Sequence, residues 1–228
     1  MTGRRRLGAG GGPRRFIGWF LEKLYTDLAW FYDTVATITS AGQWWTWQQA
    51  VEPKLVPGRL LELGHGTGRL LQRQLEHGRN VIALDRSSSM IRTAARRLRR
   101  SSLPAPLVQA DATALPFASN SFDGAYSTFP SEYIADSRTV WEALRVLKPS
   151  ARLLIIPYAW ITGGSLVDLL AHFLYRITGQ SPSPGELNWP PIEIPAAIVE
   201  SEIIAQERAH VLVLSVSAPV RSDHEPGD

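Results

Sequence analysis

The stretch LLELGHGTGRL, residues 60–70, decides the fold, because an apolar run ending in an acid, Glu62, meets three glycines at every second position. Such an apolar run is typical of a buried β-strand, and the residues after the last glycine predict a helix. Glycine allows a positive φ and lets a ligand approach the main chain closely. The helix start beyond the glycines offers free N–H groups. The stretch therefore predicts a strand, a ligand-binding loop and a helix in succession. The alternative, a plain tight turn, usually needs only one glycine.

Short apolar runs alternate with helix-length segments on the carboxyl side of this loop. The predicted strands are 59–63, 80–85, 106–111, 122–128 and 151–158. The predicted helices are 67–77, 88–100, 137–147 and 165–179. This alternation predicts an α/β fold with a mostly parallel sheet. Residues 203–219 alternate weakly, which predicts two final strands in an antiparallel hairpin at the sheet edge.

A helical region is predicted before the sheet. From Phe16 to Ile38 the apolar residues recur at helical spacing with the acids on another face, and a second, aromatic-rich helix follows before Pro53. Four charged residues interrupt the first of these helices, so it is not expected to span a bilayer, although it could lie on one. The predicted domain plan is a disordered basic leader (1–15), a helical segment (16–57), the main domain (58–217) and a frayed tail (218–228).

Composition bounds the possibilities. The 228 residues, 44% of them hydrophobic, suffice for one domain with a full core and an appended segment. Cysteine is absent, which excludes disulfides, thiolate metal sites and a cysteine nucleophile, and fits the cytoplasm. The net charge of +3 allows a weak affinity for phosphates or acidic lipid, but alone it does not indicate nucleic acid.

The spacing of the glycines separates classes of cofactor. A dinucleotide fingerprint needs its third glycine at position 69, which is Arg69, and no Gly-Lys-Ser/Thr follows to make a phosphate loop of the Walker type. The pattern E-x-G-x-G-x-G at 62–68 fits instead, and here the sequence resembles the class I S-adenosylmethionine-dependent methyltransferases, especially the branch that includes the ubiquinone and menaquinone biosynthesis methyltransferases. The resemblance spans roughly 58–158. It implies S-adenosyl-L-methionine as cofactor and a Rossmann-like α/β sheet, mostly parallel with an antiparallel edge strand, flanked by helices and preceded by an N-terminal helical lid.

A second motif lies in LDRSSSM, residues 84–90, which resembles the family's D-x-S-x-x-M. The resemblance implies that Asp85 accepts both ribose hydroxyls of the cofactor, with Arg86 and Met90 in the same site. A carboxylate at this place also favours a positively charged ligand. The alternative role, capping the next helix, is filled more naturally by Ser87 or Ser88.

Two further segments agree in order with the family. QADATALPF followed by SFD, residues 109–123, is similar to the family's adenine-binding stretch, which implies that Asp111 meets the adenine amino group and the Ala112 N–H meets the ring. LRVLKPSARLLII, residues 144–156, resembles the family's helix, turn and fifth strand, in which Lys148 and Pro149 are structural.

The resemblance also assigns the glycine loop and its cover. Gly64, Gly66 and Gly68 would receive the methionine end of the cofactor, and Glu62 would support the loop and the cofactor's amino group. His65 stands where the family more often has a small residue or cysteine, so either its ring lies against the methionine moiety or only its backbone matters. In the N-terminal segment, LAWFYD resembles a lid in which Tyr32 closes over the methionine end.

The acceptor side is expected just past the fourth strand. Methyl transfer from a sulfonium is an in-line displacement that orientation alone can accelerate, although a hydroxyl or amine acceptor would benefit from a base. Thr128 would border the cofactor, Phe129 could pack on cofactor or substrate, and Glu132 and Tyr133 could orient or deprotonate the acceptor. Alternatively, Glu132 and Tyr133 only begin a helix. His172, inside the apolar helix 165–179, is read as a core histidine.

Three functions remain open from the residues. The first is methyl transfer to a small, lipophilic or aromatic acceptor, because the apolar helices would cover the site. The second is a sensor or partner subunit that binds S-adenosylmethionine without turnover. A nicotinamide dehydrogenase is the third, disfavoured by Arg69.

The expected partner is a small molecule, and the oligomeric state is left open. The basic run RTAARRLRR at 92–100 is interpreted as a solvated surface without interleaved aromatics, so nucleic acid is not expected. Arg4 to Arg6 near Trp19 and Phe20 resemble an interfacial anchor, which makes peripheral membrane contact through the N-terminal helix a further expectation.

Overall fold

The structure, a computed structural model, describes residues 43–162 and 197–219, and the statements below concern those residues. The helices are α1 (Trp44–Gln49), α2 (Arg69–Glu76), α3 (Ser88–Arg100) and α4 (Ser137–Val146), with 3-10 turns at Glu52–Lys54 and Glu132–Ala135. The strands are β1 (Arg59–Leu63), β2 (Asn80–Asp85), β3 (Leu107–Gln109), β4 (Gly124–Thr128), β5 (Leu153–Ile156), β6 (Ala159–Ile161), β7 (Ile198–Gln206) and β8 (Ala209–Ser217). The predicted helices at 16–38 and 165–179, with Tyr32 and His172, lie outside the described residues.

One mixed sheet organises the described chain. Its order is β3-β2-β1-β4-β5-β8-β6, with β7 on the other side of β8. Strands β1 to β5 run parallel, so their carboxyl ends meet at one edge of the layer. The chain order reverses between β1 and β4, and in open α/β sheets ligands bind outside the carboxyl ends of the strands at such a point.

An antiparallel hairpin closes the sheet. β8 pairs antiparallel with β5, β6 and β7, and β7 and β8 pair along their whole lengths. The predicted fold class, a mostly parallel sheet with an antiparallel edge and flanking helices, is confirmed. The hairpin begins at Ile198, five residues earlier than predicted. Strand β7 extends back to this residue because it pairs with β8 as far as Ser217.

Several predicted boundaries differ from the structure. The single strand predicted at 151–158 is divided into β5 and β6 around the buried Pro157, which has no N–H for a sheet hydrogen bond. The helix predicted from residue 67 begins at Arg69, because Gly68 has φ +75° and serves as the N-cap. The predicted β3 and β4 segments are likewise shortened to 107–109 and 124–128.

Apolar side chains pack against both faces of the sheet and form two core layers. Leu60 and Leu61 are both buried and belong to opposite layers, as expected for neighbouring residues of a strand. Trp47 of α1 is 1% exposed and packs in the same layer as Leu60, so the aromatic-rich helix before the sheet contributes to the core. The loops that follow β1, β2 and β4 therefore rise from a rigid base.

Candidate cofactor and active site

The glycine loop crosses from β1 to α2 and is tied to the end of β2. The N–H groups of Gly64 and His65 both donate to the carbonyl oxygen of Leu84, at 2.8 and 3.3 Å, and the Gly68 N–H donates to the His65 carbonyl oxygen at 3.0 Å. The loop is therefore a compact turn, held against the neighbouring strand before any ligand arrives.

Two of its glycines are required for different reasons. Gly66 has φ +55°, and a Cβ built on it would meet no atom within 4 Å, so its outer side is open to a ligand. Gly68 also has a positive φ, but a Cβ there would lie 2.6 Å from the Ala94 side chain of α3. Gly68 thus allows α3 to pack closely against the loop, a role separate from ligand binding.

Asp85 stands at the carboxyl end of β2 and faces this loop. Its Oδ2 accepts a hydrogen bond from the Gly66 N–H at 3.0 Å, and its Oδ1 accepts one from the Ser87 N–H at 2.8 Å. An ionised carboxylate offers about four acceptor positions, so about two remain for a ligand diol. Ser87 caps α3 by accepting from the Met90 N–H at 3.4 Å, as predicted. Asp85 is therefore not the N-cap residue of this helix.

The end of β3 adds a second carboxylate. Asp111 is exposed, and its Oδ1 accepts hydrogen bonds from the N–H and Oγ1 of Thr113, which, ahead of a contribution from Arg86, lower the pKa of the carboxyl. Its Oδ2 lies 4.0 Å from Arg86 Nη1. Ala112 is buried beside it. The structure therefore brings Asp85, Arg86, Asp111 and Ala112 to adjacent strand ends, and each of the two ends carries a carboxyl group.

Glu62 is the most unusual ionisable group near the loop. It is 2% exposed, and its Oε2 accepts a hydrogen bond from the Tyr126 hydroxyl at 3.3 Å. Burial raises the pKa of Glu62 to about 8, the Tyr126 hydrogen bond opposes the rise, and nearby Asp85 adds to it. In the part of the chain that the structure describes, no Lys or Arg pairs with this carboxyl. Within 43–162 and 197–219, this carboxyl therefore has no cationic partner.

His65 is buried within the loop at 5% exposure. Its Nδ1–H donates to the Gly66 carbonyl oxygen at 2.9 Å, which leaves Nε2 as an acceptor in the neutral ring. No partner for Nε2 is found among the described residues. Burial lowers the pKa of His65, ahead of the opposing influence of Asp85. An unpaired buried acceptor favours a role for the ring itself in holding a ligand donor.

Tyr133 and Ser127 support the loop from the β4 side. The Tyr133 hydroxyl donates to the Leu63 carbonyl oxygen at 3.0 Å and lies 2.8 Å from Ser127 Oγ, which itself donates to the same carbonyl at 2.8 Å. A Cβ built on Gly64 would overlap the Tyr133 hydroxyl. The predicted catalytic Tyr133 therefore holds the junction of β1 and the loop, which is the geometry of a positioning residue.

The end of β4 carries a strained aromatic residue. Phe129 has φ +49°, a region that bulky residues avoid, and its N–H donates to the Ile156 carbonyl oxygen at 2.7 Å. Its ring lies 4.2 Å from that of Trp44 and 6.2 Å from that of Trp47, measured between centroids. Thr128 precedes it, and Glu132 is exposed in the 3-10 turn that follows. Strain of this kind is often retained at functional sites.

Sequence reasoning missed Ser127 and Arg97. Ser127 is buried in mid-strand and is separated by 64 residues from its partner Leu63, so no local pattern reveals the contact. Arg97 Nε donates to the Thr67 carbonyl oxygen at 3.0 Å, although its helix looked like a solvated basic segment.

The residues fit the cofactor that the resemblance implies. Gly66 is open on its outer side, His65 Nε2 is a buried acceptor without a described partner, and Glu62 has no cationic partner among the described residues. S-adenosylmethionine carries a diol, an ammonium group and a sulfonium, so the spare acceptors match its donors and positive charge. Within the described ranges, no group of three metal-ligating side chains is found.

Comparison with known proteins gives the same family. The family described as "Methyltransferase domain" matches residues 61–155. The chain is 32% identical over 157 residues to the demethylmenaquinone methyltransferase of Renibacterium salmoninarum, covering 67% of this chain and 65% of that protein. It is 30% identical over 154 residues to the ubiquinone/menaquinone biosynthesis C-methyltransferase of Dinoroseobacter shibae, covering 64% and 62%.

Similarity also extends to solved structures. The chain resembles the crystal structure of a SAM-dependent methyltransferase from Methanosarcina mazei, with a TM-score of 0.51, 19% identity, and coverage of 75% of this chain and 97% of that one. At such identity the likeness shows the fold. The chain spans less than two thirds of the length of the two curated relatives above. The glycine loop, the two strand-end carboxylates and the matched segment agree, and the chain therefore carries a domain of the class I S-adenosylmethionine-dependent methyltransferase family.

Proposed function

We propose that the protein transfers a methyl group from S-adenosylmethionine to a small, lipophilic acceptor with a quinone-like ring. The observation that carries the proposal is the placement of Asp85 and Asp111 at neighbouring strand ends, beside a glycine loop whose Gly66 is open to a ligand. The names of the two relatives, a demethylmenaquinone methyltransferase and a ubiquinone/menaquinone biosynthesis C-methyltransferase, support the class of acceptor.

The proposed binding roles follow from the acceptors that the described residues leave available. Asp85 accepts from the ribose hydroxyls, Asp111 accepts from the adenine amino group, and the Ala112 N–H meets the ring. Glu62 lies at the methionine end, beside Gly64 and the His65 ring, where the cofactor's ammonium group would favour the ionised carboxylate over the neutral form that burial favours in the free protein. When bound, the cofactor supplies a sulfonium methyl group for an in-line displacement, in which orientation accounts for much of the rate.

The acceptor is proposed to bind where β4 ends. Phe129 and Trp44 stack there, with the buried Trp47 packed against both rings, and this aromatic surface suits a flat apolar ring better than a charged metabolite. Glu132 is exposed one turn away and is proposed to take up the proton that a hydroxyl or ring carbon loses on methylation. Tyr133 is proposed to act through the position of the loop.

Location and membrane contact are part of the same proposal. None of the helices within 43–162 and 197–219 has the length and apolar character that crossing a bilayer requires. A cytoplasmic protein that touches the membrane through residues 16–38 would reach a lipophilic acceptor, and the basic leader supports such contact. Residues 16–38, with Tyr32, lie outside the described residues, so the anchor and the lid stay predictions.

Labelled methyl transfer tests the function. The purified protein is given S-adenosylmethionine labelled in its methyl group together with a prenylated naphthoquinol, with catechol as a polar comparison. We expect label in the naphthoquinol and little in catechol. Asp85→Ala should remove transfer, whereas Glu200→Ala, a change to an exposed acid on the edge strand β7, should retain it. Tight cofactor binding with no transfer to any acceptor would favour the sensor instead.

A further inference from the structure

Four arginines form a line along the outside of α3. Arg92, Arg96, Arg99 and Arg100 are all exposed, and their spacing of four, three and one residues places them on one side of the helix. We call this line the α3 arginine stripe. The helix sequence SSMIRTAARRLRR contains no acid, so α3 itself provides no counter-charge.

The stripe differs from the other basic residues of the described chain. Carboxylates lie within 4.0 Å of Lys54, Arg73, Arg86, Arg138, Arg145, Lys148 and Arg152. Aromatic rings lie under Arg59 and Arg69, carbonyl oxygens accept from Arg79 and Arg97, and Arg208 has a contact of its own. Among the described residues, no hydrogen bond, ion pair or ring contact is found for the side chains of the four stripe arginines. The positive charge of the stripe arginines is thus not neutralised by any described residue, in contrast to that of most other described Lys and Arg side chains.

Stabilisation of helix α3 explains only two of the four stripe arginines. Arg99 and Arg100 lie in the last turn, where positive charge complements the helix dipole. Arg92 and Arg96 lie before that turn, and like charges four apart, such as Arg92 with Arg96 and Arg96 with Arg100, destabilise a helix. The arrangement therefore favours an anionic partner outside the described chain.

We propose that the α3 arginine stripe binds the anionic headgroups of a lipid bilayer. The stripe extends over nine residues, or about 12 Å of helix from the first Cα to the last, which suits a surface of distributed charge. The helix has no aromatic side chain on which a nucleic acid base could stack. The choice of a bilayer over a nucleic acid rests on the proposed lipophilic acceptor, which would be found in the membrane.

Vesicle sedimentation tests the stripe. The full chain, without cofactor or acceptor, is mixed with vesicles of phosphatidylcholine alone or of equal phosphatidylcholine and phosphatidylglycerol. We expect binding to the anionic vesicles and its loss at high salt. Because each basic residue near such a surface contributes about five-fold in affinity, Arg96→Gln with Arg100→Gln should weaken binding by about twenty-five-fold.

A matched variant separates the stripe from net charge. Arg138→Gln with Arg152→Gln removes the same charge from arginines that already pair with carboxylates, and it should leave vesicle binding within about two-fold of the parent. Equal losses in the two variants would overturn the proposal, as would equal binding to both kinds of vesicle. Salt-sensitive binding of bulk tRNA that depends on Arg96 and Arg100, without vesicle binding, would assign the stripe to nucleic acid instead. Since no turnover is measured, failure here is distinguishable from failure of the methyl transfer assay.

Discussion

At the scale of single residues, Gly68 and Gly78 share a left-handed backbone but differ in their surroundings. Both have a φ above +70°, yet a Cβ at Gly68 would lie 2.6 Å from Ala94, whereas a Cβ at Gly78 would meet nothing within 4 Å. We expect Gly78→Ala to cost about 1–2 kcal/mol from backbone strain alone. Gly68→Ala should cost about 1–3 kcal/mol more, because α3 must move. Urea unfolding of the two variants measures the difference, and equal losses would contradict the close packing of α3.

Asp85 gives a second prediction at this scale. Asp85→Ala would remove the two charge-assisted hydrogen bonds that we propose to the ribose, each of about 1.5–3 kcal/mol, so affinity for S-adenosylmethionine should fall by about 100-fold or more. Calorimetry measures the change. Because Asp85 also accepts from Gly66 and Ser87, the unfolding of the variant is followed in parallel. A folded variant with unchanged affinity would remove Asp85 from the site.

At the scale of elements, the 3-10 turn Glu132–Ala135 connects the ends of β1 and β4 through one hydroxyl. Tyr133→Phe keeps the ring but removes the hydrogen bonds to the Leu63 carbonyl and Ser127. Since a hydrogen bond is worth about 1 kcal/mol, we expect KM for S-adenosylmethionine to rise about five-fold with kcat nearly unchanged.

The matched change is Ser127→Ala, which removes the β4 hydroxyl that bonds the Leu63 carbonyl and contacts the Tyr133 hydroxyl. Because the two hydroxyls share the Leu63 carbonyl, the double variant should lose less than the sum of the single losses. A fall in kcat of about 100-fold or more in Tyr133→Phe, with KM unchanged, would instead make Tyr133 a catalytic acid or base.

Elements with strong local signals were predicted well. The bounds predicted for β1, β2 and α3 agree with the structure, because a glycine follows β1, an acid ends β2 and Ser87 caps α3. The division at Pro157 was missed because the surrounding residues are uniformly apolar. The contact of Tyr133 with Leu63 joins residues 70 apart in the chain, so only the folded sheet reveals it. Side chains that stand at the end of their own strand, such as Asp85, could thus be placed from the sequence, whereas contacts that are made from another strand could not.

At the scale of the whole molecule, buried Glu62 makes stability depend on pH. Its pKa is raised from 4.5 to about 8 in the folded protein, so between these values the folded state holds a proton that the unfolded chain has lost. The free energy of unfolding should therefore fall as pH rises through this window and level off above about pH 8. The decrease amounts to about 1.4 kcal/mol for each pH unit of the window.

Glu62→Gln is the control for this dependence, because an amide stays neutral throughout. Urea unfolding should show the variant close to the parent near pH 5 and more stable than the parent by a few kcal/mol near pH 9. Parallel pH profiles for the two proteins would show that Glu62 does not titrate in this range.

Helix α3 has one face packed against the glycine loop and an opposite face exposed to solvent. On its inner face, Ala94 lies against Gly68 and Arg97 donates to the Thr67 carbonyl, so the helix packs directly against the glycine loop. On its outer face it carries the arginine stripe. A ligand on either face acts on this one shared element. Thermodynamic linkage then requires that whatever an anionic surface does to cofactor affinity, the cofactor does equally to affinity for the surface.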